Sequence, residues 1–171
     1  MYDNILFPTD GSAGSEAAAA HVSELASAFD ATVHVVHVVD TREGGLGVSG
    51  AFVHEDSQAM SGVSPETGYI GRHEDVDADE VEAELTAHAR ELVGAAAESP
   101  DDIDMTTAVE MGTPHSAILQ YADDHDADLI VMGTHGRTGV ERYLLGSVTE
   151  KVVRLADAPV VTVRADESDG E

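Results

Sequence analysis

The 171-residue sequence predicts an α/β fold: an open, mainly parallel five-stranded sheet, Rossmann-like, with helices on both faces. Three observations predict it. Strand-like and helix-like segments alternate along the chain as β-α-β-(loop)-α-β-α-β-α-β. The strongest strand segments are β-branched apolar runs, the pattern of strands covered on both faces. With 42% hydrophobic residues and no Cys, a chain of this length buries one core without disulfides or a structural metal. The expected strand order is 3-2-1-4-5, and residues 1–165 are read as a single domain.

Residues 3–8 (DNILFP) read as a short buried strand stopped by a proline, followed by the turn Thr9-Asp10-Gly11-Ser12. Residues 15–29 read as a helix whose Ala18, Val22, Leu25, Ala26 and Phe29 share one face. Residues 32–39 (TVHVVHVV) form the clearest strand. From 40 to 74 no period holds, and 7 of the 16 glycines fall there. This stretch reads as a long surface segment, with 41–74 either a lid or a solvated insertion. Residues 76–98 read as a helix with Val81, Leu85, Ala89, Leu92 and Ala96 inward. Its acids gather in the first half, where they suit the positive end of the dipole.

Residues 103–110 give a third strand. Thr113-Pro114 reads as an N-cap and a first-turn proline, opening a helix to Asp124 with Ile118, Leu119 and Ala122 inward. Residues 128–132 (DLIVM) are a fourth strand, and a glycine loop runs from 133 to 146. Ser147-Val-Thr-Glu150 reads as a capping box for a fourth helix to Ala156, and 160–164 (VVTVR) as a fifth strand. Residues 166–171 form an acidic tail.

The formal net charge is −26, with Lys151 the sole lysine. Binding to a nucleic acid polymer needs a basic footprint, and so does an anionic membrane surface; both are excluded as expected partners. The balance resembles that of proteins from salt-loving organisms, whose self-repulsion is screened as the Debye length falls to about 3 Å at 1 M salt. No apolar run approaches the length of a membrane span, and Met1-Tyr-Asp-Asn-Ile-Leu6 has no basic leader region. A cytoplasmic location is therefore expected.

In open parallel sheets, ligands bind beyond the carboxyl ends of the strands, where the strand order reverses. Two segments qualify: Pro8-Thr9-Asp10, and Met132-Gly133-Thr134-His135-Gly136. Gly133, Gly136, Gly139 and Gly146 occupy one loop that ends at a helix start. Glycines let successive backbone N–H groups curl into an anion nest, and the first helical turn adds further donors. The Ser147 and Thr149 hydroxyls are candidates for phosphate oxygens or a divalent ion. Residues 133–155 carry Arg137, Arg142, Lys151 and Arg154 against Glu141 and Glu150, a local cationic excess in a very acidic chain. The loop is not a Walker A motif, since no Lys follows Gly146, and it does not match Gly-x-Gly-x-x-Gly.

Gly133-x-x-Gly136, nine residues, then Gly146-Ser147 resembles the nucleotide motif of the universal stress protein family, ATP-binding branch. ILFPTDGS (5–12), HVVD (37–40), VMGTHG (131–136) and LLGSVTE (144–150) resemble family blocks in family order. The resemblance spans about residues 2–164. It implies that Asp10 and Val38 contact an adenine and that Pro8, Thr9, Met132 and Gly133 line the base and ribose pocket. It further implies that Gly136, Gly146, Ser147, Val148 and Thr149 hold phosphates carrying Mg²⁺ or Mn²⁺. It also implies a homodimer through the C-terminal strand 160–164.

Other residues read as structural. His34 and His37, three apart in a strand, face opposite sides and do not share a metal. His115 and His125 read as solvated or capping residues, and Ser12 as a turn or N-cap residue. His135 lies in the loop, within reach of phosphate. The resulting reading is a regulatory ATP- or AMP/ADP-binding protein of the stress response, acting on an unknown protein partner, with weak or no hydrolysis. The alternative is an ATP-hydrolysing or adenylyl-transferring enzyme on the same fold; its usual Ser-Gly-Gly-x-Asp-Ser loop is not matched by Asp10-Gly-Ser-Ala-Gly-Ser15.

The charge yields a first prediction. The thermal midpoint should rise steadily from about 0.1 M to about 2 M KCl as like-charge repulsion is screened. A flat midpoint in a salt titration would contradict the surface placement of the acids.

Overall fold

The computed structural model describes residues 1–40, 78–96, 103–135 and 145–165. The 41–74 segment and the 166–171 tail lie outside the described residues. The elements run β1 (Asn4–Pro8), α1 (Ala13–Phe29), β2 (Thr32–Asp40), α2 (Ala78–Ala96), β3 (Met105–Gly112), α3 (Pro114–Asp124), β4 (Leu129–Gly133), α4 (Ser147–Leu155) and β5 (Val160–Val163). All described strand pairs are parallel, in the order β3-β2-β1-β4-β5. The α/β class and the 3-2-1-4-5 order are as the sequence predicts. Among the described residues, no helix is long and apolar enough to cross a membrane.

The apolar strand runs explain the layering. Successive side chains point to opposite faces. Ile5, Phe7, Val33, Val35, Leu129 and Val131 therefore pack one way, against Ala18, Val22 and Ala26 of α1 and Ala89 of α2. Leu6, Val36, Ile130 and Met132 pack the other way, against Ile118, Tyr121 and Ala122 of α3 and Val152 of α4. Each fully buried Leu, Ile or Phe contributes about 1.5–3 kcal/mol relative to exposure. A polar residue at any of these central positions would break one layer.

The element ends differ from the expected ones for local reasons. Helix α1 starts at Ala13 because the Ser12 hydroxyl accepts the Ser15 N–H, making Ser12 the N-cap. It ends at Asp30, in the left-handed region at φ 57, whose N–H returns to the Ala26 carbonyl. Phe29, expected inward, is 37% exposed and lies edge-on to Tyr2 with ring centroids 5.1 Å apart. Strand β3 continues past Glu110 to Gly112, because β2 is long enough to pair with it as far as Asp40. Thr113 caps α3 by backbone position, with no side-chain hydrogen bond, and Pro114 follows.

His34 and His37 do face opposite layers. His34 lies on the α3 side, with Nδ1 3.3 Å from the Tyr121 hydroxyl and Nε2 3.4 Å from Asn4 Oδ1. Tyr121 in turn stacks on His125 at 3.8 Å, and His125 caps the end of α3. Burial, and then the neighbouring His125, push the His34 pKa below the usual imidazole value. Burial, and then Glu110, push the Tyr121 phenol up.

The unfolded chain therefore takes up a proton at His34 more readily than the folded one once the pH falls below about 6.5. Stability carried by neutral His34 is complete above that range and declines as the pH drops through and below it. The stability advantage of the wild type over His34→Gln should therefore shrink between about pH 7 and about pH 5. Urea melts at each pH measure it, and parallel profiles would refute the assignment.

Candidate functional site

Strands β1 and β4 are neighbours at the centre of the sheet. The chain leaves β1 toward β2 on one side and returns at β4 on the other, so their carboxyl tips flank the point where strand order reverses.

The β1 tip is fixed by a set of hydrogen bonds. Thr9 is buried; its N–H donates to Val36 O (2.9 Å), and its carbonyl accepts from His37 Nδ1 (3.0 Å). Its hydroxyl accepts the Gly11 N–H at 3.3 Å, and Gly11 takes φ 72, which permits the turn. Asp10 Oδ1 accepts from the Ser12 N–H (3.0 Å) and the Ser15 hydroxyl (2.8 Å). The carboxylate is thus held across the first turn of α1.

The β4 tip is tied to α4 and β5. The Thr134 N–H donates to Val163 O, and the Thr134 carbonyl accepts from the Gly146 N–H, both at 2.8 Å. The buried Thr149 hydroxyl donates to Gly133 O at 2.9 Å. That hydroxyl proton is committed to the end of β4, so the donor that Thr149 contributes to the helix start is its backbone N–H. The ladder of α4 begins with Glu150 N–H to Gly146 O at 2.9 Å, so the N–H groups of Ser147, Val148 and Thr149 precede it. His135 Nδ1 lies 3.0 Å from the Thr134 hydroxyl, while its Nε2 is buried with no hydrogen-bond partner among the described residues.

The capping box expected at Ser147–Glu150 is not formed. Gly146 is the N-cap, without a side-chain cap, and Ser147 is already helical. The bond from Gly146 N–H to Thr134 O sets this phase, and Glu150 instead pairs with Arg154 at 3.3 Å on the exposed face.

The two tips meet through glycine. A Cβ on Gly14 would lie 2.4 Å from His135 O, and one on Gly133 would lie 2.6 Å from the Gly14 carbonyl carbon. Ser12 Oγ approaches the same His135 carbonyl at 3.5 Å.

Of the residues singled out by sequence, Pro8, Thr9 and Asp10 form the first tip, and Met132 and Gly133 end the neighbouring strand. Val38 stands near the end of β2, half-buried, one residue past His37. Gly146 and Thr149 are bonded directly to the β4 tip; Ser147 is exposed, and the Val148 side chain packs into the core. Gly136 lies outside the described residues, as do Gly139, Arg137 and Arg142. Two described cavities lie elsewhere: one of about 440 Å³ beside Leu119, Ile130 and Pro159, and one of about 280 Å³ beside Glu110 and Ser116. The sequence reading missed Gly14, Ser15 and His37. Gly14 was legible as a poor helix former at a helix start.

Fold and site together define an α/β protein in which the tips of β1 and β4 and the start of α4 converge on the switch point of a parallel sheet. The chain belongs to the universal stress protein family, whose sequence pattern matches residues 1–164. It is 33% identical to universal stress protein MJ0531 of Methanocaldococcus jannaschii over 166 residues, covering 96% of this chain and 83% of that one. It is 30% identical to universal stress protein MJ0577 of the same organism over 172 residues, covering 98% of each. The solved structure of MJ0577 aligns with a TM-score of 0.63 at 28% identity, covering 98% of this chain and 99% of that one. A universal stress protein in complex with cAMP aligns at 0.62 and 21% identity, covering 96% of this chain and 98% of that one. The Archaeoglobus fulgidus protein in complex with dAMP aligns at 0.57 and 21%, covering 95% and 97%. These last two share the fold.

The Gly14–Gly133 contact yields a prediction about stability. Gly14→Ala and Gly133→Ala should each destabilise the protein by about 1–3 kcal/mol or more, since backbone rather than a flexible side chain must move. This would reverse the gain that Gly→Ala normally brings in a helix at Gly14. Equilibrium unfolding measures it, and an unchanged midpoint would show that the two tips do not touch.

Proposed function

We propose that this chain is an adenine-nucleotide-binding regulatory protein of the stress response. On this reading it takes ATP (or AMP or ADP) with Mg²⁺ or Mn²⁺, and hydrolyses it weakly or not at all. The observation that carries this is the convergence at one end of the sheet of the Thr9–Asp10 tip and the Gly133–Thr134 tip, with the first turn of α4 bonded to the latter. One tip presents an acceptor-only carboxylate, suited to the amino group of adenine; guanine carries an oxygen at that position. The other presents backbone donors and the positive end of a helix dipole, suited to phosphate.

The cAMP and dAMP complexes support the reading, because they show that this fold accommodates adenine nucleotides. Among the described residues, no group of three or more His, Asp or Glu is placed to hold a metal ion. The divalent ion is assigned to the nucleotide's phosphates, whose charge it neutralises. Pro8, Thr9, Asp10, Val38, Met132 and Gly133 are assigned to the base and ribose. Gly136, Gly146, Ser147, Val148 and Thr149 are assigned to the phosphates.

A homodimer through β5 belongs to the same proposal. β5 is an edge of the sheet, and Val153, Leu155 and Val161 near it are exposed. Occupancy would be read by a protein partner through this assembly. The strongly acidic composition supports a high-salt setting.

Titration calorimetry in molar KCl should give a micromolar or tighter Kd for MgATP and at least about tenfold weaker binding of MgGTP. No heat and no thermal shift with ATP would overturn the reading. Turnover above about one per second would favour an enzyme instead.

A further inference from the structure

We infer that His37 is a positioning residue for base recognition: its imidazole ends the β1–β2 ladder and sets Asp10 and the Val38 backbone on either side of the base. The inference rests on the adenine-nucleotide reading above and assigns a residue that this reading leaves unused.

The β1–β2 pairing runs in parallel register from Asn4↔Thr32 to Pro8↔Val36. One step further, the Thr9 N–H still donates to Val36 O at 2.9 Å, as the ladder requires. In an uninterrupted parallel ladder, the Thr9 carbonyl would then accept from the Val38 N–H. It accepts instead from His37 Nδ1 at 3.0 Å. A carbonyl only accepts, so Nδ1 carries the hydrogen. The ring is 2% exposed and Thr9 5% exposed, which makes the bond a buried one.

Three consequences follow. Both backbone groups of Thr9 are held by consecutive residues of β2, so the chain turns off the sheet at a fixed place. Asp10 follows directly, with its carboxylate held by Ser12 and Ser15. The side chain, rather than the Val38 N–H, takes the last carbonyl of the ladder. The Val38 backbone edge is thereby directed to the crevice and not to β1. His37 thus joins the two residues assigned to adenine, through the Thr9 carbonyl on one side and its own chain neighbour Val38 on the other.

The test uses the full chain in molar KCl with Mg²⁺, titrated with ATP, GTP and inorganic tripolyphosphate. His37→Leu removes the donor. Asn places an amide nitrogen near the Nδ1 position, whereas Gln places it near Nε2. His37→Leu should weaken ATP by about tenfold or more and narrow the ATP-over-GTP preference, the consequence of one unsatisfied buried carbonyl. Tripolyphosphate should bind within about twofold of wild type, His37→Asn should restore ATP to within about threefold, and His37→Gln should behave like Leu. A folded His37→Leu protein that binds ATP like wild type overturns the inference. So does one that loses ATP and tripolyphosphate equally.

Should the Leu variant fail to fold, the Asn and Gln variants decide: Asn tight and Gln weak supports the inference, and equal affinities overturn it. Wild-type protein that ignores ATP overturns the nucleotide reading instead. The positioning then rests on nitrogen NMR, where an Nδ1-protonated His37 with Gly11 and Ser12 amides protected from exchange supports it, and an Nε2-protonated ring overturns it.

Discussion

The arrangement depends on one contact, the backbone of Gly14 lying against the backbone of Gly133. A Cβ on Gly133 would collide with the Gly14 backbone, and a Cβ on Gly14 would collide with the His135 carbonyl just past β4. Glycine in a helix costs about 1 kcal/mol relative to alanine. The return is geometric: α1 starts directly over the switch point, and its N-cap Ser12 reaches the carbonyl of His135. The turn carrying Asp10 is drawn with it, because Ser15 in the same helical turn holds that carboxylate. A pocket between two strand tips needs both to be placed to within a fraction of an ångström, and backbone-to-backbone packing does this without long side chains.

Around that contact, three of the buried polar residues are threonines with committed hydroxyls or backbone groups. Thr9 joins β1 to β2 and to its own turn. Thr134 joins β4 to β5 and to the start of α4, and Thr149 returns from α4 to Gly133. Threonine is β-branched and suits strand ends, and each hydroxyl or amide left unpaired in such a site would cost about 1–3 kcal/mol. The result is a rigid frame in which the first-turn amides of α4 stand ahead of the intrahelical ladder.

The fold was legible because the apolar runs are unambiguous. Ile5-Leu6-Phe7 and Leu129-Ile130-Val131-Met132 have no polar face, which implies cover on both sides, and the two core layers divide them residue by residue. The tips were legible as well, since Pro8, Asp10, Gly133 and Gly146 punctuate the runs. What sequence did not yield were relations across the chain. Nothing near Gly14 announces that Gly133 will lie against it. Ser147-Val-Thr-Glu150 satisfies the local rule for a capping box, but the tertiary bond from Gly146 to Thr134 moves the cap by one residue. His37 looked like one more residue of a buried strand; its role depends on where the paired strand stops.

The net charge of −26 sets the remaining constraint. A protein so acidic repels a small polyanion at long range, whatever its pocket offers. Near 1 M salt, repulsion beyond about 3 Å is screened, while a hydrogen bond at contact is screened far less. On the proposed nucleotide reading, the donors ahead of Glu150 in α4 would then act on a phosphate at short range, free of the global field. The salt that relieves the fold's self-repulsion also uncovers the local attraction. Stability and affinity for an anion should therefore rise together with ionic strength, the reverse of a surface that collects phosphate by net positive charge.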